Sequence, residues 1–323
     1  FLLLLHVSCV TAEVVRVEVE ARENVAGGIS YGLAGAYEKL PGKIYYEIDP
    51  ENSVNKNIID LGFAPVNERN LVEFSADFYI LKPVHIEAGN GALFLDVMNR
   101  GRKRILYYFN GSETSNNPQT ALDMGDGFLL RHGYTILYVG WQFDVPDREH
   151  LMRVYTQIPS QNGEPIQGLV RSDFTVDQLT LDHSLGDREH APYSVANPDD
   201  IRNMLTVRDR AAGERILIPR DEWHFARSED GRLVSDKTRV SLIGGFEPNR
   251  IYEVVFVSEN PPVAGLGLAA MRDVVSQLKY DSLEELGIPA EAINRALAFG
   301  DSQAGRYLRT YLYDGFNQDE FSR

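Results

Sequence analysis

The sequence predicts an α/β fold: a mostly parallel sheet preceded by a β-rich region and interrupted by a β-rich insertion. Three observations lead there. Two short, continuously apolar runs, 92–97 (ALFLDV) and 134–139 (YTILYV), have the composition of strands covered on both faces, and a helix-like stretch joins them. Within the first 85 or so residues, runs at 15–20, 43–48 and 71–81 alternate apolar and polar side chains with period two, so this region is mostly β. Near the C-terminal end, residues 296–299 run into Gly300-Asp301-Ser302-Gln303-Ala304 and then into a helical pattern, a strand, a turn and a helix in succession.

The elements follow in order. Val15, Val17 and Val19 alternate with Arg16, Glu18 and Glu20, the signature of a half-buried strand. Further strands are expected at 43–48 and at 71–81 (LVEFSADFYIL), the latter ended by Pro83. The run 92–97 leads to Asn99-Arg100-Gly101; a helical stretch at 126–131 passes through Gly133 into 134–139, which ends at Gly140-Trp141-Gln142. Residues 147–249 carry turn pairs (Asn162-Gly163, Asn197-Pro198, Asp230-Gly231, Gly244-Gly245) between short runs at 173–176 and 215–218. That is an insertion far longer than an ordinary connection, and it is expected to shape a substrate pocket. The core sheet is expected to resume at 251–257 (IYEVVFV). A helix follows, with Met271, Val274, Val275 and Leu278 at i, i+3, i+4 and i+7. The segments are thus 1–12, 13–88, 89–146, 147–249 and 250–323.

Composition bounds the function. Hydrophobic residues make up 43% of 323, enough for a sizeable core, and the formal charge of −15 with no basic cluster argues against nucleic acid as a partner. The opening FLLLLHVSCVTA reads as the tail of a secretory signal cut after Ala12, which makes the protein secreted or periplasmic, with no stable membrane span. The alternatives are a buried N-terminal strand and, less well matched because His6 precedes it by three, a lipid anchor at Cys9. Cys9 is the single cysteine, so no intrachain disulfide can form.

Ser302 is the residue type and place expected of a nucleophile. A tight strand-to-helix turn needs small residues two before and two after the serine, here Gly300 and Ala304, with Gly305 adding room. The Gln303 backbone N–H would stabilise an oxyanion, and a second donor is expected from Asn99 or Arg100 in the loop after the first buried strand. The competing reading is an ordinary N-cap serine.

Gly300, Ser302, Gln303, Gly305 and Arg306 match the segment GxSQxGR, and the chain also contains YEIDP, VEFSADFYILKP, NRG, GYTILYVGWQFDVP, GGFEPNRIYEVVF and PPVAGLGLAAMRDVVSQLKY. In these motifs, over nearly the whole chain after residue 12, it resembles the α/β-hydrolase domain-containing proteins. The resemblance implies an α/β-hydrolase-like sheet and a serine hydrolase, an esterase acting on a small-molecule or polymer ester, without a cofactor. Asp301, beside the serine, would oppose anionic substrates. In such folds the order along the chain is serine, acid, histidine. All seven histidines (His6, His85, His132, His150, His183, His190, His224) precede Ser302, and Asp314, Asp319 and Glu320 follow it too soon. The acid and histidine are therefore expected from a C-terminal region beyond residue 323, and these residues alone are expected to be nearly inactive.

Rival readings are weaker. Gly265, Gly267 and Ala270 fit a dinucleotide fingerprint with Glu284 and Glu285 downstream, but Pro261-Pro262 separates them from the preceding strand. Asp147-Arg148-Glu149-His150 recurs at 187–190 without shared flanks or helix-face spacing, so no metal is expected. The other class is a non-catalytic glycan- or polymer-binding protein.

Overall fold

The alternation in the early strands is realised as one face of a sheet packed on helices and the other on loops and shorter helices. The computed structural model describes residues 13–323; the signal-segment reading of 1–12 and the anchor reading of Cys9 lie outside the described residues. The chain divides into two compact units, one of residues up to Gln157 together with Pro262–Arg323, the other Ile158–Pro261.

Strands are numbered along the chain. The first unit holds β1 (Glu13–Val19), β2 (Glu23–Asn24), β3 (Tyr37–Ile48), β4 (Val72–Pro83), β5 (Ala92–Asp96), β6 (Thr135–Val139), β7 (Val154–Tyr155) and β19 (Arg295–Phe299). They form one sheet in the order β1-β3-β4-β6-β5-β19, with β2 beside β3 and β7 beside β4. β1, β3, β4 and β6 pair antiparallel in succession; only β6-β5 and β5-β19 are parallel. Side chains alternate between two cores. Leu93, Leu95, Leu137 and Val139 pack with helices α3 (Leu266–Tyr280) and α4 (Gln303–Tyr313). Phe94, Ile136 and Tyr138 face the opposite core, with Ile105 and Leu106 of α1 (Ile105–Asn110) and Leu129 and Leu130 of α2 (Phe128–Arg131).

The expected mostly parallel, α/β-hydrolase-like sheet is corrected by this architecture. Among the described residues strands dominate, in several mixed and antiparallel sheets, with only four α-helices. The physical reason is in the connections. A parallel pair needs a crossover, usually helical, whereas β1, β3 and β4 neighbour one another with no α-helix between them and pair antiparallel. The two apolar runs become β5 and β6, parallel to one another, but they are two strands of a larger mixed sheet.

The second unit is antiparallel throughout. β10 (Gln167–Phe174), β18 (Ile251–Glu259), β12 (Met204–Arg208) and β13 (Ile216–Ile218) form one sheet in that order. β11 (Thr180–Ser184), β17 (Arg239–Phe246) and β14 (Trp223–His224) form another. Two hairpins complete it, β8 (Ser160–Gln161) with β9 (Glu164–Pro165), and β15 (Ala226–Glu229) with β16 (Arg232–Ser235). Its core is aromatic: Phe174, Trp223, Phe225, Phe246, Tyr252 and Phe256. Here the sequence reading needs a second correction. The run 251–257 was expected in the core sheet, yet it pairs with β10 and β12 along its length. An apolar strand reports that it is buried, not which sheet buries it.

Gly267 shows how closely α3 approaches the sheet. A Cβ there would lie 1.9 Å from the Trp141 carbonyl oxygen, a backbone atom that cannot step aside. The glycines of the apparent dinucleotide fingerprint therefore have a packing explanation. Gly267→Ala is expected to cost about 1–3 kcal/mol or more in urea denaturation, whereas Gly62→Ala, where nothing lies within 4 Å, should stay within about 0.5 kcal/mol.

Candidate active site

Ser302 sits where the last parallel strand gives way to a helix. β19 runs beside β5 with Phe299 opposite Asp96, and Val97 N–H donates to the Phe299 carbonyl at 2.8 Å, so the loop after β5 emerges beside the turn after β19. Gly300 has no room for a side chain, because a Cβ there would meet the Ala304 carbonyl at 2.6 Å. The small residues flanking the serine are thus explained by contact between the two arms of the turn.

Ser302 itself has φ 56° and ψ −112°, a backbone conformation that an L-residue with a Cβ occupies only at a cost of about 1–3 kcal/mol. Its hydroxyl makes no capping hydrogen bond, although it occupies the N-cap position of α4. The N-cap reading is thereby set aside: a capping serine has extended geometry and bonds the first helical turn. The side chain is exposed, and Gln303 N–H, as the first of the helix, has no intrahelical acceptor. The Gln303 side-chain oxygen is buried without a partner.

The residues expected to supply the second donor divide. Asn99 comes to the turn: its Nδ2 donates to the Asp301 carbonyl at 3.4 Å. Arg100 is at φ 55°, and its backbone N–H donates to Gln142 Oε1 at 2.8 Å, so it is spent; its Nη1 donates to Asn99 Oδ1 at 3.1 Å. Arg100 therefore positions Asn99 instead of donating from its own backbone. Asp301 accepts from Tyr108 Oη at 2.9 Å, and that hydrogen bond pushes the Tyr108 phenol above its ordinary value. Tyr108 and Phe109 of α1 set their rings 5.2 and 5.1 Å from Phe299, bracketing the end of β19.

Four contributors were not singled out as site residues in the sequence: Tyr108, Trp141, Gln142 and Asp96. Asp96, at the end of β5, is completely buried, and one oxygen accepts from the N–H groups of Arg104 and Ile105 at 2.7 and 2.9 Å. This fixes the far end of the loop that carries Asn99. The other oxygen has no partner, and burial pushes the carboxyl up to about 6 against those hydrogen bonds. The only hint in the sequence was an aspartate inside an apolar run.

No histidine is hydrogen-bonded to Ser302 among the described residues. His150 lies against Asn117 and Glu149, His183 stacks on Phe174, and His132 packs on Phe128. Of the carboxylates after the serine, Asp319 is taken by Ser276 and Arg323, and Glu320 by Asn55 and Arg272. No group of three His, Cys, Asp or Glu among the described residues could hold a metal ion, and no helix is long and apolar enough to cross a membrane. No protein-family model and no curated protein matches the chain.

The Asp96 carboxyl has a pH signature. A carboxyl whose folded pKa lies above its unfolded 3.8 opposes folding once the unfolded chain ionises, so its cost is absent well below pH 3.8 and complete above about pH 6. Asp96→Asn keeps an acceptor for the two N–H groups without the charge. The stability difference between it and the parent should shift by about 3 kcal/mol in the variant's favour as pH rises through that window. Denaturation midpoints measured across it check this.

Proposed function

We propose that this chain carries the nucleophile of a serine ester hydrolase, and that Ser302 is that nucleophile. The observation that carries the reading is the strained, uncapped Ser302 at the N-terminus of α4, with its hydroxyl exposed and free of hydrogen bonds to the helix. Strain at a residue whose side chain makes no structural bond is hard to account for by stability, since it opposes folding; it is useful only where the hydroxyl must be presented.

In this reading Ser302 Oγ attacks an ester carbonyl, the carbonyl oxygen takes the charge toward Gln303 N–H and the Asn99 amide, and the alcohol leaves from an acyl-enzyme that water then hydrolyses. The serine proton goes to a base, and the reading draws that base and its acid from outside residues 1–323, since no histidine among the described residues is hydrogen-bonded to Ser302. It keeps from the family resemblance the serine segment alone. Asp301, held by Tyr108, places a negative charge beside the nucleophile and favours neutral esters. Read with the export segment at 1–12, the activity belongs outside the cytoplasm.

A fluorophosphonate probe tests the nucleophile directly. Slow labelling that Ser302→Ala abolishes is the expected result, with ester turnover by residues 1–323 lower by several orders of magnitude than a complete triad would give. Equal labelling of the alanine variant would sink the assignment. Asp301→Asn is expected to raise labelling by an anionic probe several-fold relative to a neutral one.

A further inference from the structure

A cavity of about 300 Å³ opens beside β3 and β4 and is lined in part by Lys39, Asp77, Tyr79, Lys103, Asn117 and His150. β6 and β5 lie between β4 and β19, so strand spacing alone separates this cavity from the serine by roughly 14 Å.

Three buried lysines of the first unit differ in one respect. Lys82 Nζ lies 2.7 Å from Glu38, and Lys39 Nζ lies 3.2 Å from Glu23 and 2.8 Å from Gln119. Lys103 is 5% exposed and, among the described residues, has no carboxylate within ion-pair distance. Its Nζ donates to the Asn116 carbonyl at 2.7 Å and otherwise stands over the rings of Tyr79 and Tyr138, 4.6 and 5.6 Å from their centres. An ammonium has three donors, and here one is spent on a protein acceptor. The charged groups around it are Asp96 from β5, Asp77 from β4, Lys39 from β3, Glu23 from β2, and, on the loops, Glu20, His150, Glu113 and Asp123. Asp96 and Asp77 favour the ammonium, but burial outweighs them and lowers Lys103 to about 7.

We propose that Lys103 is a reactive amine that condenses with a small aldehyde or ketone taken into this cavity. The neutral Nζ attacks the carbonyl carbon and forms a C–N bond. The carbonyl oxygen then leaves as water, carrying both amine protons in the net balance, and a neutral imine remains. The cavity is the size of a small-molecule site, and although the tyrosine rings attract an ammonium, burial with a single acceptor at Nζ favours the uncharged amine.

Reductive alkylation of the intact chain with propionaldehyde and cyanoborohydride at pH 7, followed by peptide mapping, tests it. Lys103 is expected to be alkylated about tenfold faster than the exposed Lys56 and Lys237. The advantage should vanish at pH 10, and Lys103→Arg should remove the fast adduct. Alkylation of Lys103 no faster than of the exposed lysines at pH 7, or only after denaturation, would overturn the proposal and leave Lys103 a structural cation.

Discussion

The contact on which the site depends is the meeting of Tyr307, Trp141 and Gly267. Tyr307 of α4 donates its hydroxyl to the Gly267 carbonyl of α3 at 3.1 Å, and its ring lies 4.5 Å from that of Trp141. Trp141 in turn donates its indole N–H to the Met98 carbonyl at 2.6 Å. Two helices and the loops after β5 and β6 are thereby pinned at one point beneath the elbow. The lack of a Cβ at position 267 makes this approach possible, and the direction of α4, hence of the Ser302 backbone, follows from it.

The loop that brings Asn99 to the turn is fixed at both ends by buried acceptors. Gln142, next to Trp141, holds Arg100, and Asp96 holds Arg104 and Ile105. Such a loop can carry positive φ at Arg100 because its neighbours over-determine it. The same logic applies to Ser302. Its backbone strain is tolerated because Gly300 and Ala304 are in contact on one side and the α3 core on the other.

The two buried ionisable groups in this region have different consequences. Asp96 is partly satisfied by backbone N–H groups and is held near the end of a strand, a structural role with an electrostatic cost. Lys103, further along the same loop, is cushioned by tyrosine rings and left without a counter-ion in contact, which makes it a chemical liability unless it is used.

The sequence by itself determined the local chemistry. Period-two alternation marked the early strands, the i, i+3, i+4, i+7 spacing of Met271, Val274, Val275 and Leu278 marked α3, and the small residues around Ser302 marked the turn, because each rests on nearest-neighbour geometry. Pairing was another matter. Whether strands run parallel, and whether residues 251–257 belong to the first unit's sheet or to the second unit's, depends on partners distant along the chain, and only the tertiary structure decided both. It also decided that Arg100 spends its backbone N–H on Gln142, that Tyr108 reaches Asp301, and that Lys103 loses its counter-ion while Lys82 keeps one. Nothing in the spacing of these residues encodes those contacts; they exist because packing brings separate loops to the same end of the sheet.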